Sequence, residues 1–257
     1  MSFPFIKLKI FFHHLPHFFL FFLLLLCTGC GTSLTNYYFG DLFGKSKSST
    51  IERSAEQLAL DGMQQMRDKD YDDALKSFQQ LKEHYPYSKY AILAELKLGD
   101  AHFYNKDYSN AALAYEEFAR LHPRNEVIPY VLYQIGMCHF LSFSTVDRDQ
   151  EETRLAMEAF QKLIQTHPQS EYAQRGKKQL FECQKRIVAH EFQVGQFYFR
   201  LEQYASAKVR LDMIKDTYPE AVKDLGYQDE IDQMLAKCAT EVVKEKKKPS
   251  IWTRIGF

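Results

Sequence analysis

Apolar residues between positions 55 and 246 recur at intervals of three and four, which is the spacing of amphipathic helices and not the alternation of strands. Ala59, Met63 and Met66 share one face of a first predicted helix, and Ala74 and Phe78 share one face of the next. The whole chain has only 11 glycines and 8 prolines, too few for a fold of short strands and turns. The pattern therefore predicts an all-α protein.

The chain also repeats itself at a fixed interval in this region. Lys69-Asp70-Tyr71 recurs 37 residues later as Lys106-Asp107-Tyr108. Further pairs at the same interval are Gly62 and Gly99, Ala74 and Ala111, and Pro86 and Pro123. A repeat of this length is typical of solenoids built from helix pairs.

The repeated residue types have a physical explanation. Gly99 in a first helix and Ala111 in a second allow the two helices to approach closely, while Tyr115 fills the space one turn on. Pro123 ends the second helix, because proline lacks the N–H and clashes with the preceding turn. This order of residues resembles the tetratricopeptide repeat, TPR, which has two antiparallel helices per unit. We therefore expect residues 51–246 to form a superhelical TPR solenoid of about five helix pairs.

The third unit contains an insert between its two helices. Gly136 follows Gly99 by the regular interval of 37 residues, but the repeated positions of the second helix lie eight residues later than that interval predicts. Asp147, Asp149, Glu151 and Glu158 imitate four positions of a calcium-binding loop, yet Glu152 stands where that loop needs glycine for its sharp turn. We expect a polar loop that caps the second helix, with no metal bound.

The fourth unit has a long first helix. Pro168 and Gly195 are 27 residues apart, whereas the corresponding distance in earlier units is 13, so the first helix gains about four turns. Such a helix offers surface beyond the standard groove. Residues 221–246 form a last amphipathic stretch, which would serve as the cap that a solenoid needs. Residues 247–257 are expected to be a tail. Its apolar part, 251–257, is expected to be disordered until a partner covers it.

Residues 1–29 resemble a bacterial lipoprotein signal peptide. Lys7 and Lys9 precede an apolar run that is too short for a typical membrane span, and Cys30 follows it closely. Cleavage before Cys30 would leave this cysteine lipidated at the new N-terminus. An uncleaved anchor is the alternative, and it would also tether the chain to a membrane.

The residues after Cys30 favour a particular location. Residues 30–50 are rich in serine, glycine and lysine, which is typical of a flexible tether. Gly31 occupies the position where aspartate would resemble a signal for retention in the inner membrane. By analogy we expect the domain to be held at the periplasmic face of the outer membrane.

Charge and motifs limit the possible functions. Without Lys7 and Lys9 the chain has 31 basic and 33 acidic residues, so it lacks the basic field that a nucleic-acid partner requires. No nucleophile elbow, phosphate-binding loop or zinc motif is present, and we expect neither an enzyme nor a cofactor. Cys138, Cys183 and Cys238 are far apart in sequence and are expected to be buried free thiols.

The candidate binding surface is the concave groove formed by the first helices of successive units. Its proposed lining consists of methionine and aromatic residues, which suit adaptable binding of extended peptides. They are Met63, Met66, Phe103, Tyr104, Tyr130, Tyr133, Met137 and Phe140. Asp100 falls on the same predicted face as Phe103. The alternative is that this stripe belongs to the core.

The combined order of features resembles the BamD (ComL) family of outer-membrane assembly lipoproteins. The most specific marks are the segment 84–91, the Asp147-Arg148-Asp149 insert and the segment 192–204. The resemblance implies a subunit of the β-barrel assembly (BAM) complex without enzyme activity. It also implies three kinds of partner: the last POTRA domain of a BamA-type barrel protein, unfolded outer-membrane proteins, and other assembly lipoproteins.

The same resemblance implies which regions bind which partner. The N-terminal half would bind substrates through their C-terminal strand signal, and the C-terminal half would bind the BamA-type protein, with Arg210 matching a family arginine linked to that contact. An alternative function is a different periplasm-facing TPR lipoprotein, related to peptidoglycan or division. A membrane-tethered enzyme or hydrolase accessory is disfavoured because no catalytic residues converge.

Overall fold

The computed structural model describes residues 53–142 and 150–247. Several predicted features lie outside these residues: the expected signal peptide with Cys30, the expected tether, the Asp147-Arg148-Asp149 insert and the 251–257 tail. The described residues form helices and connecting turns, with no strand, which confirms the all-α prediction. The helices are α1 Ala55–Asp68, α2 Tyr71–His84, α3 Ala91–Tyr104, α4 Tyr108–Leu121, α5 Ile128–Ser142, α6 Glu151–Thr166, α7 Glu171–Arg200, α8 Tyr204–Thr217, α9 Pro219–Asp224 and α10 Gln228–Lys247.

Eight of the helices form four consecutive pairs, α1–α2, α3–α4, α5–α6 and α7–α8. Each helix packs against the next one along the chain, from α1 through to α8, and α10 packs on α8 at the end. The first helices of neighbouring units also meet, α1 with α3 and α5 with α7. This arrangement confirms the TPR solenoid.

The turn between the two helices of a unit requires an unusual backbone conformation. Lys69, Lys106 and Glu202 occupy the same place in units one, two and four, and their φ angles are 65°, 63° and 62°. A left-handed residue ends the first helix and reverses the chain. In unit two the next residue, Asp107, begins the second helix, where its carboxylate accepts from the Asn110 N–H at 3.4 Å. In units one and two the Lys-Asp-Tyr sequence therefore marks the end of the first helix and the start of the second, and in unit two the aspartate side chain also caps the second helix.

The repeated glycines allow the second helix of each unit to pack closely against the first. A Cβ placed on Gly62 would lie 2.6 Å from the Phe78 ring, and one on Gly99 would lie 2.6 Å from the Tyr115 ring. Both rings are fully buried. The sequence interpretation of small residues facing large ones is therefore confirmed at atomic level.

The long first helix of unit four is also confirmed, since α7 has 30 residues whereas α1 and α3 have 14. Its two halves contact different helices. A Cβ on Gly176 would meet Leu163 of α6 at 3.1 Å, and one on Gly195 would meet Leu211 of α8 at 2.8 Å. Consequently α6 packs on the first half of α7 and α8 packs on the second half.

The end of the solenoid differs from the prediction. We expected one helical stretch over 221–246, but the structure has two helices, α9 and α10, separated at Gly226. Gly226 has a φ of 72°, a left-handed conformation that ends α9 and that glycine adopts without strain. Pro219 begins α9, because its fixed φ and missing N–H suit the first turn of a helix.

Candidate functional site

The proposed groove residues of units one and two lie on α1 and α3 and are only partly accessible. Met63 and Met66 are half-buried against the core between α1 and α2. Tyr104 is 53% exposed and stacks on Tyr71 with ring centroids 5.9 Å apart. Phe103 contacts Tyr104 edge-on at 5.8 Å. The two units therefore share one aromatic group that has an exposed edge.

The proposed groove residues of unit three form a second aromatic group with α7. The Tyr130 and Tyr133 rings lie 5.5 Å and 5.9 Å from the ring of Tyr172, near the start of α7. The Arg175 guanidinium lies 5.4 Å from the Tyr172 ring centroid. We call Tyr130, Tyr133, Tyr172 and Arg175 the aromatic cradle. Tyr172 and Arg175 did not appear in the sequence prediction, because their contact with α5 depends on tertiary packing.

The remaining two groove residues are largely occupied by contacts within the chain. Met137 and Phe140 are half-buried against the core between α5, α6 and α7. The Arg186 guanidinium lies 3.5 Å from the Phe140 ring centroid and donates to the Phe140 carbonyl at 2.8 Å. One face of Phe140 is therefore covered by α7.

A polar cluster that the sequence did not reveal lies between α3, α4 and α5. Asp100 is only 3% exposed, and its Oδ1 accepts from the Tyr115 hydroxyl at 2.7 Å and from the Tyr130 hydroxyl at 2.6 Å. Its Oδ2 accepts from Lys97 Nζ at 2.6 Å. Gln134 Nε2 lies 3.4 Å from the Tyr115 hydroxyl and 3.3 Å from that of Tyr130. Asp100 is therefore covered by its partners and does not line an open groove.

The tyrosines of this cluster remain hydrogen-bond donors. Burial raises the pKa of Tyr115 strongly, and the nearby Asp100 carboxylate raises it further. Burial followed by Asp100 also raises the pKa of Tyr130. Both hydroxyls consequently stay protonated over the whole physiological pH range and hold the carboxylate between them.

Arg210, the proposed partner residue, is already paired within the chain. Its Nη1 donates at 2.9 Å to Glu191 Oε2, a carboxylate on α7 whose side chain is 8% exposed. The Arg210 side chain itself is 44% exposed. The arginine therefore connects α8 to α7 and presents its outer edge to solvent. The sequence prediction missed Glu191, which lies 19 residues before Arg210.

Glu191 also lines a cleft between α6, α7 and α8 of about 380 Å³. Its lining mixes charged, polar and apolar side chains. The other lining residues are Met157, Ile187, Met213, Tyr218, Arg154, Glu158 and Gln161.

The second half of α7 carries exposed apolar residues. Ala101 and Cys138 follow the glycine of their unit by two positions and are completely buried, whereas Phe197, two positions after Gly195, is 52% exposed. Leu201, one turn further, is also 52% exposed. Phe197 and Leu201 are exposed because α6 packs on the first half of α7, whereas Phe197 lies in the second half and Leu201 follows it. We call Phe197 and Leu201, with the half-buried Val194, the α7 apolar stripe.

The three cysteines of the domain are buried and free, as the sequence predicted. Burial raises the pKa of the Cys138 and Cys183 thiols to about 12, so these thiols remain protonated. Across residues 53–142 and 150–247 no group of three or more His, Cys, Asp and Glu side chains is arranged to hold a metal. No helix in these ranges combines the length and apolar character required to cross a bilayer.

Comparison with known proteins identifies the family. Residues 52–247 match the family model YfiO, described as outer membrane lipoprotein. The outer membrane protein assembly factor BamD of Vibrio cholerae serotype O1 is 28% identical over 209 residues, which cover 76% of this chain and 87% of that protein. BamD of Neisseria meningitidis serogroup A is 26% identical over 223 residues, covering 80% and 84%.

A solved structure shows a weaker resemblance. A tetratricopeptide repeat protein from Parabacteroides merdae ATCC 43184 aligns with a TM-score of 0.40 and 16% identity, covering 73% of this chain and 66% of that one. At this TM-score the alignment says nothing about function. The family match covers the helical domain from its first helix to its last, and the chain therefore belongs to the BamD (YfiO) family of outer membrane lipoproteins.

Proposed function

We propose that this protein is a lipid-anchored scaffold subunit of the β-barrel assembly complex. In this proposal Cys30 carries the lipid that holds the domain at the periplasmic face of the outer membrane. The domain binds unfolded outer-membrane proteins and the POTRA domain of a BamA-type barrel protein, without catalysing a reaction. The observation that carries the proposal is the family match over residues 52–247, whose relatives are outer membrane protein assembly factors.

The substrate would bind along the first helices of units one to three. An unfolded barrel strand is an extended segment with alternating apolar side chains. The partly exposed rings of Phe103, Tyr104 and Tyr133 suit such a segment, because aromatic side chains offer large contact areas and lose little conformational entropy on binding. Met63 and Met66 add side chains that adapt to different sequences.

The BamA-type partner would bind unit four. The α7 apolar stripe provides apolar area that no described part of the chain covers, and the outer edge of Arg210 lies on the adjacent helix. Exposed aromatic residues and arginines are both enriched in protein interfaces. Arg210 would contribute in two ways, by holding α8 on α7 through Glu191 and by offering its remaining N–H groups to the partner.

Two titrations test this division. The first ligand is a peptide of the C-terminal strand of an outer-membrane barrel protein, and the second is the isolated POTRA domain. Phe103→Ala and Tyr133→Ala should each weaken peptide binding by about 1–2 kcal/mol, roughly 5- to 30-fold, and leave POTRA affinity unchanged. Phe197→Ala should weaken POTRA binding by a similar factor and leave peptide affinity unchanged. Leu113→Ala is the control, since Leu113 is an exposed apolar residue of α4 outside both surfaces.

The proposed division fails if Phe197→Ala weakens the peptide or Tyr133→Ala weakens the POTRA domain. A pull-down from detergent-solubilised envelope tests the wider proposal. Recovery of a BamA-type protein supports it, whereas recovery of peptidoglycan or division proteins in its place contradicts it. Membrane flotation of Cys30→Ala tests the anchor: the variant should leave the membrane fraction in cells lacking the BamA-type protein.

A further inference from the structure

Unit two differs from its neighbours at two positions that belong together. The residue after the repeat glycine is Met63 in unit one and Met137 in unit three, but in unit two it is Asp100. The ring that packs against the glycine is phenylalanine in units one and three, but in unit two it is Tyr115. A methionine–phenylalanine pair has thus been replaced by a hydrogen-bonded aspartate–tyrosine pair.

Stability alone does not explain this replacement. Asp100 is a buried carboxylate, and burying a charge carries a desolvation cost even when the charge is paired. Replacing a buried ionic network by well-packed apolar residues is often neutral or stabilising. Units one and three show that the same fold accepts the apolar pair at these positions. The polar pair in unit two therefore points to a role other than holding α3 and α4 together.

The geometry indicates what that role is. Besides Tyr115, the Asp100 carboxylate holds the Tyr130 hydroxyl, which comes from the next unit. Tyr130 is thereby fixed at both ends: its hydroxyl is bound to α3, and its ring contacts Tyr115 edge-on at 6.3 Å and Tyr172 edge-on at 5.5 Å. Tyr130 is the member of the aromatic cradle that connects the cradle to unit two.

We propose that Asp100 and Tyr115 are positioning residues that hold Tyr130 in the aromatic cradle, and that the cradle binds an aromatic or large apolar side chain of an extended substrate segment. This inference rests on the proposed function, because it names a subsite of the same groove. Tyr130, Tyr133 and Tyr172 are each partly exposed, and three tyrosine rings in contact suit an aromatic guest, because aromatic rings favour edge-to-face packing.

The test introduces the apolar pair of units one and three into unit two. The double variant Asp100→Met/Tyr115→Phe should unfold at a urea concentration close to that of the unmodified protein, because Lys97, which loses its carboxylate partner, is partly exposed and can be solvated. It should nevertheless bind the barrel-strand peptide about 5- to 10-fold more weakly, because Tyr130 has lost its acceptor. Tyr130→Phe should reproduce that loss, since it removes only the hydroxyl. Asp100→Asn keeps an oxygen acceptor for the tyrosines and should bind within about twofold of the unmodified protein.

The outcomes separate this inference from the proposed function. One outcome is that the double variant and Tyr130→Phe bind the peptide as tightly as the unmodified protein while Tyr133→Ala binds it weakly. In that case the positioning role is wrong, but the proposed substrate groove is supported. If Tyr133→Ala also binds normally, the groove itself is wrong. If the double variant loses stability, Tyr130→Phe decides the matter, because it leaves the Asp100–Tyr115 bond intact.

Discussion

Gly136→Ala tests the close packing of helices within a unit. Gly136 lies inside α5, and an added Cβ would be 2.5 Å from Cε1 and 2.7 Å from Cζ of the Phe160 ring. Phe160 is completely buried, and the Tyr133 ring lies 5.9 Å from it. The ring therefore has no free direction in which to move, and the two helices must separate or the ring must leave its rotamer.

Two opposing effects determine the size of the change. Alanine is about 1 kcal/mol better than glycine in a helix interior. Overpacking a buried contact costs about 1–3 kcal/mol, and a rigid, enclosed ring places this site at the upper end. We expect a net loss of about 1–2 kcal/mol, which lowers the melting temperature of a domain of this size by roughly 2–8 °C.

Thermal or urea unfolding followed by circular dichroism measures this loss. Gly176→Ala is the matched control, because the closest atom to its added Cβ would be Leu163 Cδ2 at 3.1 Å, at the end of a flexible side chain, and the Phe160 ring would be 3.7 Å away. That variant should be as stable as the unmodified protein or more stable. The cost of Gly136→Ala should also shrink in a Phe160→Leu background. An equal cost in both backgrounds would refute the ring clash as its cause.

Three further changes have expected outcomes. Lys106→Gly should raise the free energy of unfolding, measured by urea titration, by about 0.5–1 kcal/mol, because glycine adopts the left-handed φ of 63° without strain. Asp107→Ala should lower the free energy of unfolding by about 1 kcal/mol, because it removes the side-chain cap of α4. Because bonds from Asn110 lower the pKa of Asp107, this difference should be full at neutral pH and shrink as pH falls through the ordinary carboxyl range; a pH-independent difference would contradict it. Arg210→Ala should lower stability by about 1–2 kcal/mol in urea unfolding, since it leaves the Glu191 carboxylate buried without its partner, and Glu191→Gln should recover part of that loss.

The sequence predicted the repeat packing because the contacts involved are local and recur. Gly62 meets Phe78 within one helix pair, and the spacing between them follows directly from two helices and a short turn. The same pattern appears again at Gly99 and Tyr115, so chance similarity can be excluded from the sequence alone. The length of α7 was predictable for the same reason, because Pro168 and Gly195 are 27 residues apart where earlier units have 13.

Partners of polar side chains were not predictable in this way. The sequence pattern places Asp100 on the groove face, but its hydrogen bond to Tyr130 joins two residues that are 30 positions apart in the chain. Likewise nothing in the spacing of α7 and α8 indicates that Glu191 binds Arg210. Comparing units would have given one signal, because Asp100 replaces methionine where Tyr115 replaces phenylalanine. A coupled change of two positions within one repeat indicates contact between them.

The extra length of α7 has a consequence for how the two proposed surfaces relate. In units two and three the residue two positions after the glycine is buried against the preceding second helix. Lengthening α7 moves that position, Phe197, beyond the reach of α6 while keeping the first half of the helix in its normal place against α5 and α6. A single change in helix length thus exposes the α7 apolar stripe, which we propose as a partner surface, without disturbing the aromatic cradle. Because the cradle takes Tyr172 from the start of α7 and the stripe takes Phe197 from its end, one continuous helix contributes to both surfaces.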